Sequence, residues 1–221
     1  MADIVQVQVL MSKGEYTQAI EIVNKYIKDS GPQKEWVELQ SYIYQKLGNF
    51  ETALEGWNSL IAYLPDEASY YLERGVCKFN LQYKSAIEDF NHAILLEPKN
   101  AYFHSALAYI LDKHGRLSEA VKHYEIAIDL EPDNEITINN LAVTEQKMGN
   151  ISKAEELFKA TDDLLIQKGL MPERPRPEPV KKEIPAKTPS TRKLEIIKMI
   201  SSWAGFKQFL KEALDLFKKK V

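Results

Sequence analysis

The sequence predicts an all-α protein built as an array of about five helix-turn-helix repeats. Three observations lead to this prediction. Glycines recur on a period of about 34 residues, at Gly14, Gly48, Gly115 and Gly149, with one copy lacking its glycine. An alanine lies five residues after each of these glycines, and apolar residues around it are spaced by three and four, as in amphipathic helices. A period of this length is typical of helical repeat arrays.

The alanines align the copies and show what each copy contains. They are Ala19, Ala53, Ala86, Ala120 and Ala154. A bulky apolar residue follows each alanine by four positions, as Val23, Trp57, Phe90, Tyr124 and Phe158. We expect the glycine to permit the reversal between two helices, and the small alanine to let those helices approach closely. Proline ends the second helix in three copies, because it disfavours helix in the residue before it.

The copies run over residues 2–33, 34–67, 68–100, 101–134 and 135–168. The third copy is one residue short and has Asn80-Leu81-Gln82 at the place of the glycine, which predicts a tightened turn. The fifth copy lacks the proline, so its second helix is expected to extend to about Lys168-Gly169. One pair of helices cannot bury its apolar faces alone, so the copies must stack on one another.

The phrases NFETALEGW, YKSAIEDFNHAILLEP and GRLSEAVKHYEIAIDLEP are near copies of one another. In this pattern the chain resembles the tetratricopeptide repeat (TPR) family over roughly residues 2–168. The resemblance implies a right-handed α-solenoid. It also implies a non-catalytic scaffold that binds a peptide or helix of a partner protein.

In the TPR family the first helix of each copy lines a concave groove. The resemblance places seven residues of this chain in that groove: Tyr42, Leu72, Val76, Phe79, Tyr102, Tyr109 and Val143. Some of them could instead belong to the core between helices. Some TPR proteins clamp the C-terminal carboxylate of chaperones with basic residues. The corresponding positions here include Leu39, Ser69 and Glu73, so that ligand is not expected.

Composition bounds the class of protein. The chain has 44% hydrophobic and 28% charged residues and no apolar run of about 20 residues, so a membrane span is not expected. The N-terminus shows no pattern of a secretory signal, and the single cysteine, Cys77, is expected to be packed rather than reactive. These features favour a cytoplasmic location.

We find no motif for catalysis or for a cofactor. None of the four histidines stands at metal-ligand spacing, and His92 and His123 are expected on the solvated surface. The sequence has no glycine-rich phosphate loop and no nucleophile elbow. We therefore predict no enzyme activity, no metal, no cofactor and no nucleic-acid ligand.

The sequence after the array changes in character. Residues 169–193 are rich in proline and charge and predict a linker, whereas residues 194–221 predict a helix with a kink near Ser202–Gly205. Its apolar residues, which we expect to dock on another surface, are Ile196, Ile200, Trp203, Phe206, Phe209, Leu210 and Phe217. From residue 169 onward there are 13 Lys or Arg and 6 Asp or Glu, a net +7, which leaves −10 for residues 1–168 when the total is −3.

Three occupants remain open for the apolar face of residues 194–221. It could dock on the chain's own array, on a partner protein or second copy, or on a membrane surface. The basic terminus Lys218-Lys219-Lys220 favours a membrane, whereas Glu212 and Asp215 on the polar side oppose one. A membrane-peripheral adaptor is therefore the alternative function.

Overall fold

Residues 2–171, the part of the chain that the computed structural model describes, consist of ten α-helices joined by short turns. The helices are α1 (Ala2–Ser12), α2 (Tyr16–Ser30), α3 (Lys34–Lys46), α4 (Phe50–Tyr63), α5 (Ala68–Asn80), α6 (Ala86–Leu96), α7 (Ala101–Lys113), α8 (Leu117–Leu130), α9 (Glu135–Met148) and α10 (Ile151–Gln167). The all-α prediction is confirmed for these residues. The structure does not describe residues 172–193 of the predicted linker. The predicted helix over residues 194–221, with its kink at Ser202–Gly205, also lies outside the described residues.

Each helix packs against the next helix along the chain, so the array consists of five helix-turn-helix pairs. Helices α3, α5, α7 and α9 are the first helices of the second to fifth pairs. The second helices α4, α6 and α8 each end two residues before a proline, at Pro65, Pro98 and Pro132. The missing amide of proline and its effect on the preceding residue explain these ends.

Glycines with positive φ close the turn inside four of the five described pairs. Their φ angles lie between 74° and 86°, at Gly14, Gly48, Gly115 and Gly149. In each turn the amide of the next residue donates to a carbonyl five residues earlier, as Asn49 N does to Tyr44 O at 2.9 Å. This is the Schellman arrangement, which favours glycine because the left-handed region is costly for L side chains. The predicted role of these glycines is confirmed.

The third pair makes the same turn without a glycine. Gln82 adopts a φ of 59°, and its amide donates to Phe79 O at 3.0 Å. The next amide, that of Tyr83, donates to Lys78 O at 2.8 Å. The turn is therefore complete, and the predicted tightening at Asn80-Leu81-Gln82 is wrong.

The third copy is instead one residue shorter at the start of α6. The amide of Ala86 donates to Tyr83 O at 3.1 Å, three residues earlier. The equivalent amide of Ala53 donates to Asn49 O, four residues earlier. A tighter first turn, of the 3₁₀ kind, absorbs the deletion and keeps the alanine in its place.

Replacing Gln82 with glycine should stabilise the array. The Gln82 side chain is exposed, and a left-handed conformation costs an L residue about 1–2 kcal/mol. The greater freedom of glycine in the unfolded chain offsets part of this gain, so we expect Gln82→Gly to raise the free energy of unfolding by about 0.5–1 kcal/mol. Urea denaturation measures the change.

The reverse substitution at an equivalent turn is the matched control. A Cβ atom at Gly115 would meet no atom within 4 Å, so Gly115→Gln introduces backbone strain without a clash. We expect it to lower the free energy of unfolding by about 1 kcal/mol. Shifts of the same sign in both variants would contradict this account of the turns.

The aligned alanines and the bulky residues after them form the contacts inside each pair. All five alanines are buried, and so are four of the five bulky residues, whereas Phe158 in the last pair is only half-buried. Cys77 is also buried, as predicted, and burial raises the pKa of its thiol to about 12. A larger side chain in place of these alanines would push the two helices apart.

Three buried carboxylates in the array are each neutralised by a nearby cation. The Asp89 carboxylate accepts two hydrogen bonds from the Arg74 guanidinium, at 2.7 and 2.9 Å, and Lys78 Nζ lies 2.9 Å away. In the later pairs, Asp112 bonds to Lys147 and Glu145 bonds to Lys153. A buried charge needs such a partner because the low-dielectric interior solvates it poorly.

Candidate partner-binding surface

One row of side chains repeats along the first helices. It consists of Tyr42 on α3, Val76 on α5, Tyr109 on α7 and Val143 on α9, at spacings of 34, 33 and 34 residues. Tyr109 is 43% exposed, and the other three are half-buried. We call this row, together with the neighbouring Phe79 and Tyr102, the first-helix surface.

The structure separates the other predicted groove residues. Tyr102 is 61% exposed on α7, and Phe79 is half-buried with its ring edge-on to His114 at 5.7 Å. Leu72, in contrast, is only 2% exposed and belongs to the hydrophobic core. Leu72 therefore packs inside the array, the alternative that the sequence left open for groove positions.

Lysine side chains cover the faces of two tyrosines in the row. Lys46 Nζ lies 4.9 Å from the centre of the Tyr42 ring, and Lys113 Nζ lies 5.0 Å from that of Tyr109. Both pairs have the same spacing of four residues on a helix, which brings the side chains to one face. Such cation–π contacts hold the rings in place and also add positive charge beside them.

A pocket of about 440 Å³ opens between α3 and α5. Its lining comprises Met11, Lys34, Glu38, Leu39, Tyr42, Trp57, Glu67, Ser69, Tyr70 and Glu73. We call it the α3–α5 pocket. It combines aromatic walls with three carboxylates and one lysine. Sequence reasoning missed it because helices α1, α3, α4 and α5 all contribute side chains. Of its lining residues, the sequence alignment placed Tyr42 in the groove and Leu39, Ser69 and Glu73 at the positions of the chaperone clamp.

Gln45 holds one of these carboxylates in place. The indole N–H of Trp57 donates to Gln45 Oε1 at 3.2 Å, and the Cys77 thiol donates to the same oxygen at 3.1 Å. Because the indole can only donate, the amide oxygen must face it, and Gln45 Nε2 then donates to Glu73 Oε2 at 2.7 Å. The orientation of Glu73 is therefore set by side chains from α3, α4 and α5.

Burial changes the acid–base properties of the groups around the pocket. It raises the pKa of Glu73, against the opposing effects of the Gln45 hydrogen bond and the Lys46 charge. Burial also raises the pKa of Tyr102, and the negative charge of Glu73 adds to this effect. Tyr70 lines the same pocket, and burial together with its hydrogen bond to Glu38 raises the pKa of its hydroxyl. The surface is therefore partly desolvated and electronegative at this end.

The histidines differ from the sequence prediction. His92 and His123 are half-buried rather than solvated, and the His92 ring lies tilted by 37° against the Tyr71 ring, with the ring centres 4.1 Å apart. His123 Nδ1 lies 3.2 Å from Nδ1 of the buried His104, whose Nε2 lies 3.0 Å from Pro98 O. The carbonyl accepts only, so His104 Nε2 carries the proton and its Nδ1 accepts from His123. Through these contacts, the rings of His92 and His123 take part in the packing between neighbouring helices.

Residues 2–171 contain no group of three or more His, Cys, Asp or Glu side chains placed to hold a metal ion. None of the ten helices in this range is long and apolar enough to cross a membrane.

Comparison with known proteins adds to this geometry. A family model described as Tetratricopeptide repeat matches residues 101–134, the range that contains α7 and α8. No curated protein sequence matches the chain. Several solved structures share its fold.

Three of these structures show the extent of the likeness. A MamA structure from Desulfovibrio magneticus RS-1 has a TM-score of 0.64 and 16% identity, and the match covers 76% of this chain and 95% of that one. TTC0263, a thermophilic TPR protein in Thermus thermophilus, has a TM-score of 0.63 and 20% identity, with 76% and 96% covered. YrrB, described as a TPR protein with an unusual peptide-binding site, has a TM-score of 0.55 and 17% identity, with 77% and 92% covered.

At these identities the structural likeness establishes the fold, and the match over residues 101–134 establishes the kind of repeat. The five helix pairs, with their closing turns and buried alanines, extend the same unit through residues 2–168. The chain therefore contains a tetratricopeptide repeat at residues 101–134 and has the fold of tetratricopeptide repeat arrays.

Proposed function

We propose that this chain is a non-catalytic scaffold that binds a peptide or helix of a partner protein on its first-helix surface. The observation that carries the proposal is the row of tyrosine and valine side chains, one from each of four first helices. A ligand lying along the array would meet an apolar or aromatic side chain at every pair. The description of YrrB as having a peptide-binding site supports a peptide ligand for this fold.

The chemistry of the row suits apolar side chains of a ligand. Tyrosine supplies a large contact area and loses little rotamer freedom on binding, which is why it is enriched at protein interfaces. Lys46 and Lys113 hold the rings of Tyr42 and Tyr109, so less entropy is lost when a partner binds. The half-buried Val76 and Val143 provide shallow apolar contacts between and beside the rings.

The ends of the surface differ in charge, and this difference would set the direction of a ligand. The α3–α5 pocket contains Glu38, Glu67 and Glu73 against Lys34. At the other end, Lys113 is exposed on α7, whereas the exposed Lys147 on α9 is paired with Asp112. A basic group of the partner would therefore favour the α3–α5 end. A free carboxylate would meet repulsion there, in agreement with the sequence argument against a chaperone C-terminus.

The membrane-peripheral alternative and the predicted docking of residues 194–221 depend on a segment outside the described residues. The cytoplasmic location also stays a prediction. Co-sedimentation of the full chain with anionic vesicles separates a membrane role from a protein-binding role. Binding that needs residues 194–221 and falls with salt would favour the membrane alternative.

Removing two exposed aromatic rings should abolish most partner binding. We expect Tyr102→Ala/Tyr109→Ala to weaken binding of a captured partner at least ten-fold, because interface tyrosines commonly contribute more than about 1 kcal/mol each. Affinity capture with the full chain identifies the partner, and titration with the purified partner measures the dissociation constant.

Tyr63 on the second helix α4 is the matched control, since it is a tyrosine that is 74% exposed outside the first-helix surface. Tyr63→Ala should leave the dissociation constant unchanged within two-fold. If the double variant binds as tightly as the Tyr63 variant, partner binding on the first-helix surface is wrong.

A further inference from the structure

We propose that residues 194–221 of the same chain bind the α3–α5 pocket and so occupy the electronegative end of the first-helix surface. This inference rests on the proposed function, because it treats that surface as a binding surface. It adds the identity of one ligand, the place where it binds and the charges that select it.

The first argument is that Glu73 is a partly desolvated carboxylate that forms no ion pair among the described residues. The buried carboxylates Asp89, Asp112 and Glu145 each contact a lysine or arginine. Glu73 is also partly desolvated, yet among the described residues no lysine or arginine nitrogen lies at ion-pair distance from it. It accepts a hydrogen bond from Gln45, and the charge of Lys46 acts on it from beyond ion-pair distance. A cation from outside residues 2–171 would form with Glu73 the kind of ion pair that the three buried carboxylates already have.

The second argument is the shape and chemistry of the pocket. Tyr42, Trp57 and Tyr70 form aromatic walls around the carboxylates of Glu67 and Glu73. Aromatic faces attract lysine and arginine as well as apolar rings. A ligand for this pocket therefore needs aromatic or aliphatic side chains and positive charges close together in sequence.

The third argument is that residues 194–221 have this composition. Trp203, Phe206 and Phe209 are interleaved with Lys207 and Lys211. The chain beyond residue 168 has a net charge of +7, whereas residues 1–168 have −10. Opposite charges of this size would steer the segment to the array and raise the rate at which it binds.

The length of chain between the array and this segment permits such binding. The 22 residues numbered 172–193 separate the described array from residue 194. A flexible chain of 22 residues spans roughly 26 Å, and about 68 Å when extended as polyproline. Packed helices lie about 8–10 Å apart, and four successive helix contacts separate α5 from α9, so the two helices lie at most about 40 Å from one another. A chain of 22 extended residues is long enough to span this distance.

Amine crosslinking of the full chain in solution tests the proposal. Lys34 in the pocket should crosslink to Lys207, Lys211 and the terminal lysines at least five-fold more than Lys122, an exposed lysine on α8, does. Equal yields at Lys34 and Lys122 would overturn the proposal. Mixing ¹⁴N- and ¹⁵N-labelled chains identifies the source. Crosslinks within one label support binding in the same chain, whereas crosslinks mainly between labels assign a second copy and overturn it.

Charge variants test the mechanism. Glu67→Gln/Glu73→Gln should reduce the Lys34 crosslinks about five-fold, whereas the exposed pair Glu51→Gln/Glu55→Gln on α4 should change them less than two-fold. Circular dichroism confirms that each variant is folded. Lys207→Glu/Lys211→Glu leaves the array untouched and should reduce Lys34 crosslinks to Lys218–Lys220 to the same extent. Unchanged crosslinks in this last variant would overturn the proposal.

Three further outcomes distinguish this inference from a membrane anchor and from the proposed function. If anionic vesicles bind the segment and no pocket crosslinks form without them, the segment is a membrane anchor and the proposal is wrong. If pocket crosslinks fail while Tyr102→Ala/Tyr109→Ala still abolishes partner binding, only this inference fails. If the crosslinks form and the tyrosine variant binds normally, the proposed function fails instead.

Discussion

Replacing Asp89 with alanine is expected to lower the free energy of unfolding by about 3 kcal/mol. The Asp89 carboxylate is buried between α5 and α6 and neutralises both Arg74 and Lys78. These two cations are themselves mostly buried, so the variant leaves two poorly solvated positive charges close together. The expected loss lies at the lower end of the range for such sites, because long side chains can turn their charged ends toward water.

Urea denaturation followed by circular dichroism measures this effect. The matched control is Glu119→Ala, which removes a carboxylate that bonds to Arg116 at 2.6 Å on the exposed surface of α8. Solvent and salt screen an exposed pair, so we expect no measurable shift of its denaturation midpoint. If the two substitutions shift the midpoint equally, burial of the Asp89 ion pairs does not contribute to stability.

Replacing Phe90 with alanine is expected to lower the free energy of unfolding by about 4 kcal/mol. Its side chain is 0% exposed and lies against Gly75 on α5, where a Cβ atom would stand 2.9 Å from the ring. This close approach leaves no room for the neighbouring helix to collapse into the cavity without moving its backbone. The loss should therefore include both the transfer of the ring and the cost of the cavity.

Phe158 provides the matched control for Phe90. Both residues lie four positions after an aligned alanine, but Phe158 is in the last described pair and is only half-buried. We expect Phe158→Ala to cost less than half as much, because part of the ring already contacts solvent. Equal losses in thermal or urea denaturation would show that residue type, and not position in the array, decides the cost.

The helices of the array could be predicted well because their signals are local. Glycine at a left-handed position, proline after a helix end and apolar residues at three- and four-residue spacing each act within a few residues. Repetition adds to this, since an error in one copy is corrected by the others. The turn at Gln82 was predicted wrongly because its hydrogen bonds hold a residue type that rarely adopts this conformation.

The candidate surface was only partly predictable, and particular residues show why. Tyr102 and Tyr109 are exposed, as a groove requires, whereas Leu72, transferred by the same alignment, is buried. Exposure depends on how neighbouring pairs pack, and the sequence of one copy does not contain that information. The contacts of His123 with His104 likewise join α8 to α7 through the tertiary structure.

The sequence by itself determined the repeat unit, the number of pairs and the residues that face across each pair, because helix periodicity and turn chemistry are local properties. Only the tertiary structure decided which inward positions remain accessible. It also places Glu73 beside aromatic walls, with no lysine or arginine nitrogen of the described residues at ion-pair distance. That environment is made by side chains of several helices that are distant in sequence, and its electrostatics depend on their burial.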